Sequence, residues 1–129
     1  MTDTIPTDIL LVEDNAADAR LIREYVAEAS WPNIKAETPT ITHVERLEAA
    51  REALTDEIGI VLLDLGLPDS SGVETLDEML AVGGTAPVVV LTGLADERVG
   101  VDAVERGAQD YLVKGDITPR LLQQTVQYA

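Results

Sequence analysis

The 129-residue sequence has no cysteine and no phenylalanine, and only one tryptophan and three tyrosines. The absence of cysteine rules out disulfides, thiolate metal sites and thiol nucleophiles together. Long hydrophobic runs are also missing. The best candidate, Ala81 to Ala95, is broken by Gly83, Gly84, Thr85, Pro87, Thr92 and Gly93, so it falls short of the roughly 18 apolar residues that a membrane helix needs. The amino terminus, MTDTIPTD, lacks the basic start and apolar core of a secretory signal. Positive charge is scarce: nine Lys and Arg, with Lys35 and Lys114 the only lysines, stand against 24 acidic residues, for a formal net charge of -15. A field of that sign repels nucleic acids and anionic lipids, so neither a direct nucleic-acid partner nor a membrane partner is expected. The acidic, lysine-poor surface is similar to that of proteins working in concentrated salt, where screening removes the self-repulsion.

What is present is enough apolar material for a core. Hydrophobic residues make up 46% of the chain, too many for a chain kept unfolded by its charge, and the length is that of one ordinary domain. Four short apolar runs, Ile9 to Val12, Ile58 to Leu63, Val88 to Leu91 and Tyr111 to Val113, read as buried parallel strands because they are short, β-branched or leucine-rich, and lack period-two alternation. Residues Ile34 to Thr42, polar, alternating and interrupted by Pro39, read as a weak strand at a sheet edge.

Helical spacing fills the intervals. After Asn15, residues Ala16, Ala19, Ile22, Tyr25, Val26 and Ala29 share a face, and Trp31 with Pro32 is expected to close that helix by packing. His43 to Asp56 reads as the second helix, Val73 to Val82 as the third, and Ala95 to Arg106 as the fourth, stopped by Gly107. Thr118 and Pro119 give a cap and first turn for the fifth. Strand and helix thus alternate five times. The fold class is α/β, a doubly wound (βα)5 flavodoxin-like arrangement with a five-stranded parallel sheet of strand order 2-1-3-4-5. One domain is expected over residues 1–129, with no output domain in the chain.

The chemistry is expected at the carboxyl ends of the strands, where open parallel sheets bind ligands. Glu13 and Asp14 follow the first strand, Asp64 the third, Thr92 the fourth and Lys114 the fifth. Strands lie about 4.8 Å apart, which brings Asp64 opposite the Glu13–Asp14 pair. Two unit charges about 5 Å apart repel by roughly 3 kcal/mol at an effective dielectric near 20, so three convergent carboxylates call for a cation or for shifted protonation. An all-oxygen donor set with few protein ligands suits Mg2+. Lys114, expected on the opposite flank, and Thr92 add a fixed positive charge and a hydroxyl, so that a phosphoryl group fits between them and the metal. Asp64 is the natural nucleophile, since a carboxylate attacks phosphorus without prior deprotonation. Taken singly, each residue has an ordinary explanation: Glu13, Asp14 or Asn15 as a helix cap, Asp64 as a turn residue, Lys114 as a solvated side chain. Chance would have to supply all of them at consecutive strand ends.

Four segments, LLVEDN at 10–15, LLDLGLPDSSG at 62–72, VVLTG at 89–93 and YLVKGD at 111–116, resemble the response-regulator receiver domains of two-component signal transduction, in order and spacing over nearly the whole chain. The resemblance implies a phosphoprotein whose Asp64 accepts a phosphoryl group from a sensor histidine kinase in a Mg2+-dependent reaction. Asp14, Asp64 and the backbone carbonyl of Gly66 would bind the metal, with Glu13 acting through metal-bound water. Lys114 would contact phosphoryl oxygens, Thr92 would turn its hydroxyl onto them, and Tyr111 would follow as an aromatic switch, altering a face made by helix 4, strand 5 and helix 5 that binds a downstream protein. A cytoplasmic location goes with that role, as does the absence of small-molecule turnover.

Three positions depart from the family pattern. Gly115 stands where a proline is common, which is expected to loosen the loop after Lys114; Glu13 replaces a frequent aspartate; and Gly66 leaves the phosphoryl site without a neighbouring side chain. Other readings are a phosphorylation-independent binding module on the same fold, a module cut from a larger hybrid kinase or regulator, and an enzyme of flavin-carrier or aspartate-phosphatase type. Few aromatics speak against a flavin carrier, and Gly66 occupies the place of a phosphatase's second acid. His43, the sole histidine, reads as a surface residue near the start of the second helix, so a phosphodonor histidine must come from elsewhere.

Overall fold

The computed structural model describes residues 8–31, 39–93 and 97–129. Among them, β1 (Asp8–Val12), β2 (Thr40–Val44), β3 (Ile60–Asp64), β4 (Val88–Thr92) and β5 (Asp110–Val113) alternate with α1 (Ala16–Glu28), α2 (Leu47–Ala53), α3 (Val73–Val82), α4 (Glu97–Arg106) and α5 (Pro119–Tyr128). The strands form one parallel sheet in the order β2-β1-β3-β4-β5, with Val12 beside Leu63, Asp64 beside Leu91 and Thr92 beside Val113. This is the doubly wound flavodoxin-like fold expected from the sequence.

Period-two geometry explains the two cores. Leu10, Val12, Val61, Leu63, Val88 and Val90 pack with Leu47, Ala50, Leu76, Met79 and Ala103, so α2, α3 and α4 cover one face. Ile9, Leu11, Ile60, Leu62, Val89, Leu91 and Leu112 pack with Ala19, Ile22, Val26, Leu122 and Val126 from α1 and α5 on the other. Both faces of the central strands are dry, which is why those runs do not alternate. Burying each large apolar side chain contributes about 1.5–3 kcal/mol.

The helix ends follow local chemistry. Asn15 caps α1, its side-chain oxygen accepting from the Asp18 amide at 3.0 Å, and Trp31 closes that helix by donating its indole N–H to the Val26 carbonyl at 2.9 Å. Gly107 ends α4 with φ +124°, where a side chain would be strained. Thr118 caps α5 through the Leu121 amide at 3.1 Å. Thr118→Ala is expected to cost about 0.5–2 kcal/mol, read as a lowered urea midpoint with an unchanged slope. The N-terminus of α2 has an unusual partner: Arg46 offers no side-chain cap, and Asp69, in the loop after β3, accepts from the amides of Leu47 at 2.9 Å and Glu48 at 3.1 Å. These two bonds hold the Asp69 carboxyl below its ordinary range.

Several expected boundaries move. β2 begins after Pro39 rather than running through it, and α2 is shorter than expected, so His43 lies on the edge strand and not at a helix start. Ala16 is exposed rather than part of the buried face of α1. Pro32, residues 34–38 of the expected second strand and Ala95 of the fourth helix lie outside the described residues. Among the described residues, no helix is long and apolar enough to cross a membrane.

Candidate functional site

The alternation that puts Leu11, Leu62 and Leu112 on the α1/α5 side carries Glu13, Asp64 and Lys114 to that same side. Asn15 takes over the capping of α1 and so releases Glu13 and Asp14 from that structural duty. The carboxylates of Glu13, Asp14 and Asp64 come together, one oxygen of each lying within 4.8 Å of the others. Glu13 is fully buried, Asp64 half-buried and Asp14 exposed. Burial, followed by its hydrogen bond to Asp64, pushes the Glu13 carboxyl up to about 7.

Lys114 does not stand on the opposite flank. Its ammonium sits inside the acidic group, 2.8 Å from Glu13 Oε1, 2.9 Å from Asp18 Oδ2 and 3.4 Å from Asp64 Oδ2. Its long stem reaches back across the strand ends to the nearest negative charge. Burial disfavours the ammonium, but its interactions with the accepting carboxylates of Glu13 and Asp18 and the charge of Asp64 outweigh this and raise its proton affinity. Lys114 begins a single 3-10 turn through Asp116, and Gly115 is not among the positive-φ glycines.

A groove of about 570 Å3 opens over these groups, lined among others by Asp18, Asp64, Gly66, Thr92, Val99 and Lys114. Thr92 is buried and its Oγ1 has no hydrogen-bond partner among the described residues, which leaves a polar donor at the groove wall. The amide of Gly66 donates to Asp64 Oδ1 at 3.2 Å, and a Cβ at Gly66 would meet nothing within 4 Å. Tyr111 is half-buried and lies against α4, so close that a Cβ on Gly100 would stand 2.4 Å from its ring. The structure therefore gathers Glu13, Asp14, Asp64 and Lys114, lines the groove with Gly66 and Thr92, and keeps Tyr111 on the α4 side.

Four carboxylates against one ammonium leave the site strongly negative. All-oxygen donors of mixed burial, with Asp64 lining the groove and Asp14 exposed, fit a divalent hard cation that keeps some of its waters. The residues present thus fit Mg2+, with Asp14 and Asp64 reachable from solvent and Glu13 behind them.

Two nearby residues escaped the sequence reading. Asp18 follows Asp14 by one helical turn, a spacing that places it on the same side of α1. His43 lies in β2 opposite Leu11, with its Nε2 2.7 Å from the Glu13 carbonyl oxygen. A carbonyl only accepts, so Nε2 carries the proton, and the bond pins the turn that carries Glu13.

Residues 9–127 match the response regulator receiver domain family. The KDP operon transcriptional regulatory protein KdpE of Escherichia coli is 34% identical over 119 residues, covering 89% of this chain and 49% of that protein. The chemotaxis protein CheY of Listeria monocytogenes is 28% identical, covering 88% and 92%. The crystal structure of the phosphorylated cyanobacterial phytochrome response regulator RcpA superimposes with a TM-score of 0.68 at 27% identity, covering 95% of this chain and 89% of that one. The chain spans about half the length of KdpE.

Proposed function

The chain belongs to the response regulator receiver domain family, and from that premise we propose that it is a phosphorylation-dependent signalling switch with Asp64 as acceptor. The observation that carries this reading is the meeting of Glu13, Asp14 and Asp64 within 4.8 Å, with Lys114 3.4 Å from Asp64. The donor is a phosphohistidine on a sensor histidine kinase. An Asp64 oxygen forms the new P–O bond while the N–P bond to the donor breaks, and the electron pair returns to the imidazole, which takes up a proton. Asp14, Asp64 and the Gly66 carbonyl would hold Mg2+, with Glu13 acting through its water. When bound, the metal supplies positive charge to offset what builds up on the phosphoryl oxygens.

The residues of the chain do the rest. Lys114 donates to a phosphoryl oxygen from its place beside Asp64, and Thr92, whose hydroxyl has no partner among the described residues, turns to meet another. Asp64 needs no base, because a carboxylate is already the nucleophile. Tyr111, half-buried against Gly100 of α4, then follows as the aromatic switch. The downstream protein binds the face of α4, β5 and α5, where Val101, Val104, Leu121 and Tyr128 are exposed apolar side chains. The kinase partner and the cytoplasmic location belong to the same reading.

Intact-protein mass after incubation with a small acyl phosphate tests it. One phosphoryl adduct is expected with Mg2+ and none with EDTA. A folded protein that takes no adduct under either condition, with controls for acyl-phosphate loss, is instead a phosphorylation-independent binding module.

A further inference from the structure

The Lys114 ammonium lies among three carboxylates, Glu13 at 2.8 Å, Asp18 at 2.9 Å and Asp64 at 3.4 Å, and it donates its hydrogen bond to Asp18. A phosphoryl oxygen arriving on Asp64 competes with Asp18 for the ammonium that Asp18 now holds. Building on the phosphoacceptor reading above, we infer that Asp18 is a positioning residue that competes with the phosphoryl group for Lys114 and so biases the domain toward its unphosphorylated state.

The three contacts are not equivalent. Glu13 is fully buried, and releasing it would leave its Oε1 away from both the ammonium and water, with only Oε2 held, by the Asn15 amide at 3.2 Å. Asp64 is the acceptor itself and stays next to Lys114 in either state. The Asp18 side chain is 38% exposed, so it can turn to solvent at small cost, which makes it the exchangeable partner. Its position is nonetheless well set: it lies in the first turn of α1, and its own amide is held by the Asn15 side chain at 3.0 Å.

Charge acts in the same direction as hydrogen bonding. Asp18 lines the groove that also holds Asp64, Gly66, Thr92 and Lys114, so its carboxylate faces the space an anionic phosphoryl group must enter. It is not among the three acids close enough to share a metal. Removing its charge therefore weakens the hold on a Lys114 donor and lowers a repulsion while leaving the metal ligands in place.

Three proteins are compared with a small acyl phosphate and Mg2+ at low ionic strength: wild type, Asp18→Asn and Asp18→Glu, each shown to be folded by its urea midpoint. Rates of adduct formation, and of adduct loss after the donor is removed, are followed by intact mass, and Mg2+ affinity is measured separately. Asp18→Asn is expected to gain the phosphoryl group about three- to tenfold faster and to lose it more slowly, with Mg2+ affinity within about twofold of wild type. Asp18→Glu, which keeps the charge, is expected to behave like wild type. Asp18→Asn at or below the wild-type rate overturns the inference, as does a Mg2+ affinity that changes in step with the rate, since that would make Asp18 a metal ligand. A wild type that takes no adduct overturns the phosphoacceptor reading and this inference with it, whereas a phosphorylated wild type with an unaltered Asp18→Asn overturns the role of Asp18 alone.

Discussion

Asp64→Asn is expected to accept no phosphoryl group at any Mg2+ concentration and, in EDTA, to unfold at a higher urea concentration than wild type. The first effect follows from the nucleophile: an amide has no anionic oxygen to attack phosphorus. The second follows from the charges. Asp64 shares its space with Glu13 and Asp14 within 4.8 Å, and at pH 8, where Glu13 is largely ionised, each such pair repels by roughly 3.5 kcal/mol at an effective dielectric near 20. Against those two repulsions stands one attraction, to Lys114 at 3.4 Å, of roughly 5 kcal/mol on the same scale. Solvent around the exposed Asp14 weakens its share, leaving a net gain of about 1 kcal/mol for the variant. Mg2+ should reverse the ranking, because a ligand bound only by the folded state adds about 2.7 kcal/mol at a hundred times its Kd, and the variant has lost a ligand. Intact mass and urea titrations with and without Mg2+ check both. An adduct on the variant would move the acceptor to another residue, and a destabilised variant in EDTA would mean that the ion pair outweighs the repulsion.

Lys114→Ala is expected to be destabilised in EDTA by an amount that grows with pH. Burial and its bond to Asp64 already push the Glu13 carboxyl up to about 7, with Lys114 pulling the other way. A carboxyl raised in the folded state contributes stability that is complete below its unfolded value and is lost as pH rises through the folded value. In wild type that window runs from 4.5 to about 7, and at 1.36 kcal/mol per unit the loss across it is about 3 kcal/mol. Without Lys114 the upper edge of the window moves higher. At pH 5.5 Glu13 is mostly protonated in either protein, and the variant loses the packing of the lysine stem and its pairing with Asp18 and Asp64. At pH 8, one unit above the wild-type value of about 7, Glu13 in the variant still holds a proton that wild type has largely released, and the deficit should grow by up to about 1.4 kcal/mol. Urea midpoints at the two pH values measure the difference. A deficit equal at both would show that Glu13 is not coupled to Lys114.

Much of this site could be read from the sequence because parallel strands have fixed spacing. Once Val12 and Leu63 were recognised as ends of neighbouring buried strands, Glu13, Asp14 and Asp64 had to meet. The bounds of α3 and the caps at Asn15, Gly107 and Thr118 rest on equally local chemistry. The edge strand β2 was harder, since its polar, half-exposed residues carry little hydrophobic signal and its limits depend on pairing with β1. Ending it at Thr42 and giving His43 to the second helix hides the approach of His43 to Glu13, since the strand runs on to Val44. Lys114 was misplaced for a different reason: a flexible four-carbon stem goes where the field directs it, and the field depends on Asp18, whose role shows only when α1 is set beside the sheet.

The bond that Asp69 makes to α2 has a consequence for the order in which the molecule assembles. α2 has seven residues, well under the roughly 12–15 at which an isolated helix becomes even marginal in water, and the groups that satisfy its first amides lie 21 and 22 residues further along the chain. Closure of that loop has to be met before the reward is collected. α2 is thus a late element, completed when β3 has joined the sheet and brought its following loop into position. The same loop begins at Asp64 and Gly66, so the segment that organises the acceptor is also the one that finishes the neighbouring helix, and the two become ordered in a single step.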